Sequence, residues 1–187
     1  MIFNLKAEFL RKVTATTFLE IALKRAVLIL ETWDIPHYVC GGFAVQERGY
    51  ARMTSDVDIV VPNVNDAIWR LTQSGLFRRN QGSKMTVTDK KTRVPIDLME
   101  GGSNQGPGPM SLPVPTVVSS EPVFLELPEL LSVKLSSYMG SPIGRAKDLG
   151  DVVELIKANR PPRDYPVDPK VKGEYEKVWD ALRKEGR

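Results

Sequence analysis

Apolar side chains recur along the first part of the chain at helical spacing. Phe18, Ala22, Ala26, Ile29 and Trp33 fall on one stripe and Leu19, Leu23 and Leu30 on an adjoining one, which predicts a helix reaching about Trp33. Thr16 or Thr17 would cap it, Glu20 would supply an acidic first turn, and Pro36 forbids continuation. The period then changes. Tyr38-Val39-Cys40 is a short apolar run entering Gly41-Gly42, the pattern of a buried strand meeting a tight turn, and residues 43–48 would form a short helix closed by Gly49. Val57 to Val61 reads as a second buried strand ended by Pro62, followed by a helix over Asp66 to Ser74 capped by Asn63 or Asn65 and stopped by Gly75.

Residues 76–80, 84–89 and 93–99 carry strand patterns, the last two joined by an expected hairpin turn, Asp89-Lys90-Lys91-Thr92. Gly101 to Pro115 is rich in glycine and proline and reads as a loop or lid. A strand near Val123 to Leu127 is expected next, then helices over Pro128 to Met139 and Arg145 to Ala158. Pro161, Pro162, Pro166 and Pro169 form a stiff connector to a last polar helix over about Lys172 to Lys184. The order predicts an α+β fold, with a core in residues 1–115 and a mostly helical C-terminal lobe in 116–187.

Composition narrows the chemistry. The 187 residues include one cysteine and one histidine, which excludes an internal disulfide framework and leaves oxygen donors as the natural ligands of any metal. Cys40 reads as core packing and His37 as a structural residue. The net charge of +3 is low for a protein that coats nucleic acid by charge alone. The cations Arg78, Arg79, Lys90, Lys91 and Arg93 read either as a solvated face or as a contact for RNA or nucleotide. No apolar run approaches the roughly 20 residues of a membrane-spanning helix, and no signal-peptide pattern opens the sequence, so a cytoplasmic protein is expected.

The candidate chemistry sits between Gly41 and Val61. Asp56 and Asp58 are two residues apart at the start of an apolar strand, so both carboxylates would project to one face while Val57 and Ile59 face the other. Like charges so placed call for a cation, and Mg²⁺ suits oxygen ligands. In Arg93-Val94-Pro95-Ile96-Asp97-Leu98-Met99 the apolar residues alternate with Asp97, which adds a third carboxylate from a separate strand. Three carboxylates on neighbouring strands would hold two metal ions for phosphoryl or nucleotidyl transfer. Glycine at positions 41 and 42 lets backbone N–H groups approach a phosphate.

These residues resemble the DNA polymerase beta-type nucleotidyltransferase superfamily. The resemblance rests on the Gly-Gly turn, the 13 residues from 43 to 55, Asp56-x-Asp58 on an apolar strand and a later strand Asp97. The string Arg52-x-Thr54-x-Asp56-x-Asp58 has the form found in small bacterial members: minimal nucleotidyltransferases, antibiotic nucleotidyltransferases and toxin enzymes of type IV abortive-infection systems. Lys134-Leu135 and Gly144-Arg145-Ala146-Lys147-Asp148-Leu149-x-Asp151 resemble the Lys and Arg-x-Lys-Asp segment of the helical lobe in such proteins. Gly42 stands where serine is frequent, and Thr54 or Ser55 would have to replace that hydroxyl.

The resemblance implies a mixed β-sheet flanked by helices and a Mg²⁺-dependent transfer of a nucleoside monophosphate from an NTP such as ATP, releasing pyrophosphate. It gives Asp56, Asp58 and Asp97 to metal binding and catalysis, with Asp97 as candidate general base. Gly41, Gly42, Arg52, Thr54, Ser55, Lys134, Arg145 and Asp148 would serve the nucleotide. The acceptor stays open among tRNA, a protein of a toxin–antitoxin pair and a small molecule such as an antibiotic. The alternatives are a non-catalytic antitoxin or regulatory binding protein of the same fold, and a phosphohydrolase using the same acidic cluster.

Overall fold

Hydrophobic stripes at a helical period and short apolar runs at a strand period resolve into six helices and five strands in a computed structural model, which describes residues 18–104 and 106–185. The first helix, α1, occupies residues 18–32 of the described chain. It is followed by β1 (Tyr38–Cys40), α2 (Gly41–Glu47), β2 (Val57–Val61), α3 (Val64–Gln73), β3 (Phe77–Arg79), β4 (Thr86–Asp89), β5 (Pro95–Glu100), α4 (Leu127–Gly140), α5 (Ala146–Asn159) and α6 (Lys172–Glu185). The expected caps at Thr16 or Thr17 lie outside the described residues. The class is α+β, as the element order implies.

The strands form one mixed sheet in the order β1-β2-β5-β4-β3. β1 runs antiparallel to β2, β2 parallel to β5, β5 antiparallel to β4, and β4 antiparallel to β3. The parallel pair needs a long crossover, and α3 with β3 and β4 supplies it. Two local signals hold as expected. Asn63 caps α3 by accepting the Asp66 N–H at 3.0 Å, and Gly75 takes a positive φ of 74° just past its end.

The chain divides into two compact units. One contains the described residues up to Phe43, then Met53–Glu100 and Val114–Val123; the other contains Ala44–Arg52, Gly101–Pro113 and the chain from Phe124 onward. The first has the sheet with α1 and α3, and its core is filled by Leu23, Leu30, Ile59, Leu71, Phe77, Ile96 and Leu98, all essentially inaccessible. In the second, α5 packs on α4 and α6 on α5, around Leu130, Leu131, Leu135, Leu155 and Tyr175. The passage from one unit to the other falls inside α2, between Phe43 and Ala44.

Two expectations change. The strand near Val123 to Leu127 reduces to a single bridging residue, Phe124, because Pro122 and Pro128 have no N–H for a ladder and Leu127 already begins α4. The glycine- and proline-rich stretch is irregular, as expected, yet it is bonded to itself and to its own unit. Gly102 N–H donates to Leu112 O at 2.8 Å, Leu112 N–H to Ser103 O at 3.0 Å, and Met110 N–H to Ser136 Oγ on α4 at 3.0 Å. Among the described residues no helix is long and apolar enough to cross a membrane.

Candidate active site

In the sheet unit, strand register brings two of the three expected carboxylates together. Asp58 on β2 and Asp97 on β5 are direct partners across the parallel pair. Partners on neighbouring strands stand about 4.8 Å apart and carry their side chains to the same face. Cys40 pairs with Asp58 on one side and Thr86 with Asp97 on the other, so Cys40, Asp58, Asp97 and Thr86 form one row across four strands. Asp58 and Asp97 are half-buried, while the residues flanking each along its strand are buried or partly covered.

Each acid has a distinct local setting. Thr86 donates its hydroxyl to Asp97 Oδ1 at 2.5 Å and lies 2.7 Å from Ser83 Oγ. Thr54 donates to Asp56 Oδ1 at 2.7 Å, just before β2 begins. Asp58 presses against Gly41, where a Cβ would run into its carboxylate, and Gly41 has a φ of +63°. Glycine is therefore required there twice over, by space and by backbone conformation. Gly42 is buried in the first turn of α2, and Ser55 is exposed.

The donor set is carboxylate oxygen, which matches a hard divalent cation, and two such groups abreast on one sheet face repel unless a cation is shared. Among the described residues, however, no three His, Cys, Asp or Glu side chains converge as one ligating cluster. The sheet thus joins Asp58 with Asp97, and Asp56 stands two residues upstream of that pair.

The helical unit treats its expected site residues differently. Lys134 on α4 is 8% exposed, and its Nζ lies 2.6 Å from Asp148 Oδ1 and 2.8 Å from Asp151 Oδ2, both acids on α5. Burial works to lower the Lys134 pKa, yet the two carboxylates outweigh it and raise it above the ordinary lysine value. For Asp148 burial opposes ionisation as well, and Lys134, then the Ser137 hydroxyl at 2.8 Å and Arg145, hold its pKa below the usual carboxylate value. Arg52 closes the network from the other side: its Nε lies 2.7 Å and its Nη2 3.1 Å from the two oxygens of Asp151. The Gln46 side-chain amide donates to the Arg52 carbonyl. Arg145 is half-exposed and 3.7 Å from Asp148.

Asp151 and Thr86 are the participants that sequence reasoning did not assign. Asp151 was legible as the partner of Asp148 three residues on, one turn along the same helix face. Thr86 had no such signal, because its role follows from antiparallel register with Asp97.

No family model and no curated protein matches the chain. Solved structures do. The antibiotic-resistance factor ANT(2'')-Ia in solution superposes with a TM-score of 0.54 at 12% identity, over 91% of this chain and 95% of that one. An antigenic nucleotidyltransferase-like protein from Paracoccidioides brasiliensis gives 0.57 at 16% identity, over 91% and 89%. A crystal structure of ANT(2'')-Ia in complex with adenylyl-2''-tobramycin gives 0.50 at 13%, over 89% and 98%. At these identities the likeness establishes the nucleotidyltransferase fold.

Proposed function

We propose that the protein is a Mg²⁺-dependent nucleotidyltransferase that moves a nucleoside monophosphate from an NTP to an acceptor hydroxyl and releases pyrophosphate. The observation that carries this reading is the in-register pair Asp58 and Asp97 on two parallel strands, with Gly41 making room for the Asp58 carboxylate. The nucleotidyltransferase fold of the structural neighbours supports it, and one of them, ANT(2'')-Ia, is seen with an adenylylated tobramycin.

Asp58 and Asp97, with Asp56 beside them, would hold the cation, which neutralises the triphosphate and the departing pyrophosphate. The chain's own residues then divide the work. Thr86 fixes the rotamer of Asp97 and occupies Oδ1, leaving Oδ2 to accept the proton of the attacking hydroxyl. The acceptor oxygen bonds to the α-phosphorus as the bond to the bridging oxygen breaks, and pyrophosphate takes the electron pair. Thr54 steadies Asp56 in the same manner.

One observation favours a second reading, a binding protein of the same fold that transfers nothing. Lys134, expected to reach a phosphate, is already held by two carboxylates. Transfer from α-³²P-labelled NTPs with Mg²⁺ separates the two, using total tRNA, total protein and an aminoglycoside panel as acceptors. The enzyme reading expects label on one acceptor class, lost in Asp58→Asn. Label that persists at the wild-type rate in that variant overturns it, and tight protein capture without NTP binding supports the second reading.

A further inference from the structure

The charge of this protein is concentrated in one place. Residues 76–93, which hold β3, β4 and their turns, carry Arg78, Arg79, Lys84, Lys90, Lys91 and Arg93 against a single acid, Asp89. That is a net of +5 in a chain whose total is +3, so the remainder carries −2. All six cations are exposed, whereas Asp89 is fully buried and already paired with Arg25 at 3.0 Å. The charged side chains that this hairpin exposes are therefore all cationic, with Arg78 and Arg79 on opposite faces of β3 and the Lys90 ammonium donating to Gly75 O at 2.8 Å. It also lies at the edge of the sheet, since β3 is the terminal strand.

The hairpin ends beside the candidate active site, within the same unit. The β3–β4 turn forms an open hollow of about 430 Å³ lined by Arg79, Asn80, Gln81, Gly82, Ser83 and Lys84. That volume is within the range of about 300–1,000 Å³ typical of small-molecule sites. Ser83 in its wall lies 2.7 Å from the Thr86 hydroxyl, which in turn donates to Asp97. A chain of three side chains thus links the cationic hollow to the proposed general base.

We infer that the hairpin is the docking surface for the acceptor, and that the acceptor is a nucleic-acid strand held by its phosphodiester backbone with its end in the hollow. This rests on the transferase reading above. The charge pattern favours a strand over a small drug: Lys84 precedes β4 and Lys90 follows it, six residues apart and so at most about 20 Å, a length over which one nucleic-acid strand carries up to about six phosphates. Cations on an edge strand also discourage sheet-to-sheet aggregation, but that role needs no chain of side chains from the hairpin turn through Thr86 to Asp97.

Fluorescence anisotropy of labelled single-stranded RNA, single-stranded DNA and the duplex of one sequence, each titrated with KCl, tests the inference. Wild type should bind at least one of them, with log K falling against log salt at a slope approaching −4 for about six contacts on a single strand. Arg79→Ala/Lys84→Ala should flatten that slope by about 1.4 and weaken binding at least tenfold at low salt. Arg78→Ala/Lys91→Ala should flatten it similarly. Circular dichroism checks that both variants fold. Asp58→Asn should bind as tightly as wild type while transferring no label, so failure of the transferase reading and failure of the docking surface give separate signatures. The inference is overturned by any of three results: no nucleic-acid binding, an unchanged slope in both hairpin variants, or competition by poly-glutamate equal to that by RNA. Transfer to tobramycin at a rate untouched by Arg79→Ala/Lys84→Ala, with none to nucleic acid, overturns it as well.

Discussion

Asp58 and Asp97 lie abreast on two parallel strands, half-buried, and Asp97 rests on the neutral hydroxyl of Thr86. Asp148 and Asp151 lie one helical turn apart on α5, buried, and meet the full charges of Lys134 and Arg52. Both pairs stand out in the sequence as acidic residues at meaningful spacing. Their surroundings differ, and the proposed function gives them different work. A buried acid whose oxygens are met by protein cations is complete within the fold, and its removal is felt as lost stability. Under the proposed function, the two acids side by side on one sheet face serve a cation that arrives with the nucleotide, and Thr86 meets Asp97 with a hydroxyl that carries no charge.

The largest expected effect breaks this contrast if it is wrong. Asp97→Asn should lower nucleotidyl transfer by about 10²–10⁴-fold, the usual scale for loss of a general base. Its thermal midpoint should stay level or rise, because the substitution relieves repulsion with Asp58. A midpoint that falls by many degrees would make Asp97 a structural residue like Asp151.

The converse change belongs in the helical unit. Asp151→Ala strands Lys134 and Arg52 around a buried void and should cost about 3–5 kcal/mol of stability in urea unfolding. Arg52→Ala with Asp151→Ala together should cost less than the two single losses added, as coupled neighbours do. Additive losses would show that the two side chains do not share one interaction.

How much of this could be read beforehand depends on the range of the interaction. The Asn63 cap and the Gly75 stop follow from three or four neighbouring residues and were visible in sequence. So was the alternation that points Asp58 away from the core beside Val57 and Ile59. The register that makes Asp58 and Asp97 partners was not, because β2 and β5 are joined by a crossover of over thirty residues and alternation fixes a face without fixing a partner. Lys134 shows the same limit. A lysine in a helix reads as exposed or ligand-facing, and its burial depends on acids 14 and 17 positions later. Asp89 is a third case. It has the look of a hairpin-turn residue and does bond the Thr92 N–H and hydroxyl, yet it is also buried against Arg25, 64 positions earlier.

A smaller effect comes from pH. His37 is buried, with Nδ1 bonded to Ile35 O at 2.9 Å and Nε2 meeting no hydrogen-bonding partner. Burial pushes its pKa below the usual 6.5, and the Ile35 bond only partly offsets this. A depressed pKa means that the unfolded chain binds the proton first. The stability is therefore fully present above pH 6.5 and drains away as pH falls from there toward the folded value. The thermal midpoint should drop between pH 7.5 and 5.5, a window above the ordinary carboxylate range of about 3.9–4.3. His37→Asn, which can keep the bond to Ile35, should flatten that drop. An equally steep drop in the variant would assign it to another group. Lys134 titrates with the opposite sign: its pKa is raised, so its contribution persists below the ordinary lysine range and is lost only as pH climbs above it.

The smallest effect sharpens the comparison inside the helical unit itself. Arg145 and Lys134 belong to the same sequence pattern and both face Asp148, but their positions differ. Arg145 is 54% exposed in its side chain with Nε 3.7 Å from Asp148, whereas the Lys134 side chain is 10% exposed with Nζ at 2.6 Å. Water screens the first interaction and is largely excluded from the second. Arg145→Ala should therefore change stability by no more than about 0.5 kcal/mol, while Lys134→Ala, leaving two buried acids unmatched, should approach the loss expected for Asp151→Ala. If Arg145→Ala leaves urea unfolding unchanged yet raises KM for the NTP, its charge faces the ligand. If neither moves, Arg145 is a solvated surface charge, and the cations that α5 depends on are Lys134 and Arg52, both bound to Asp151.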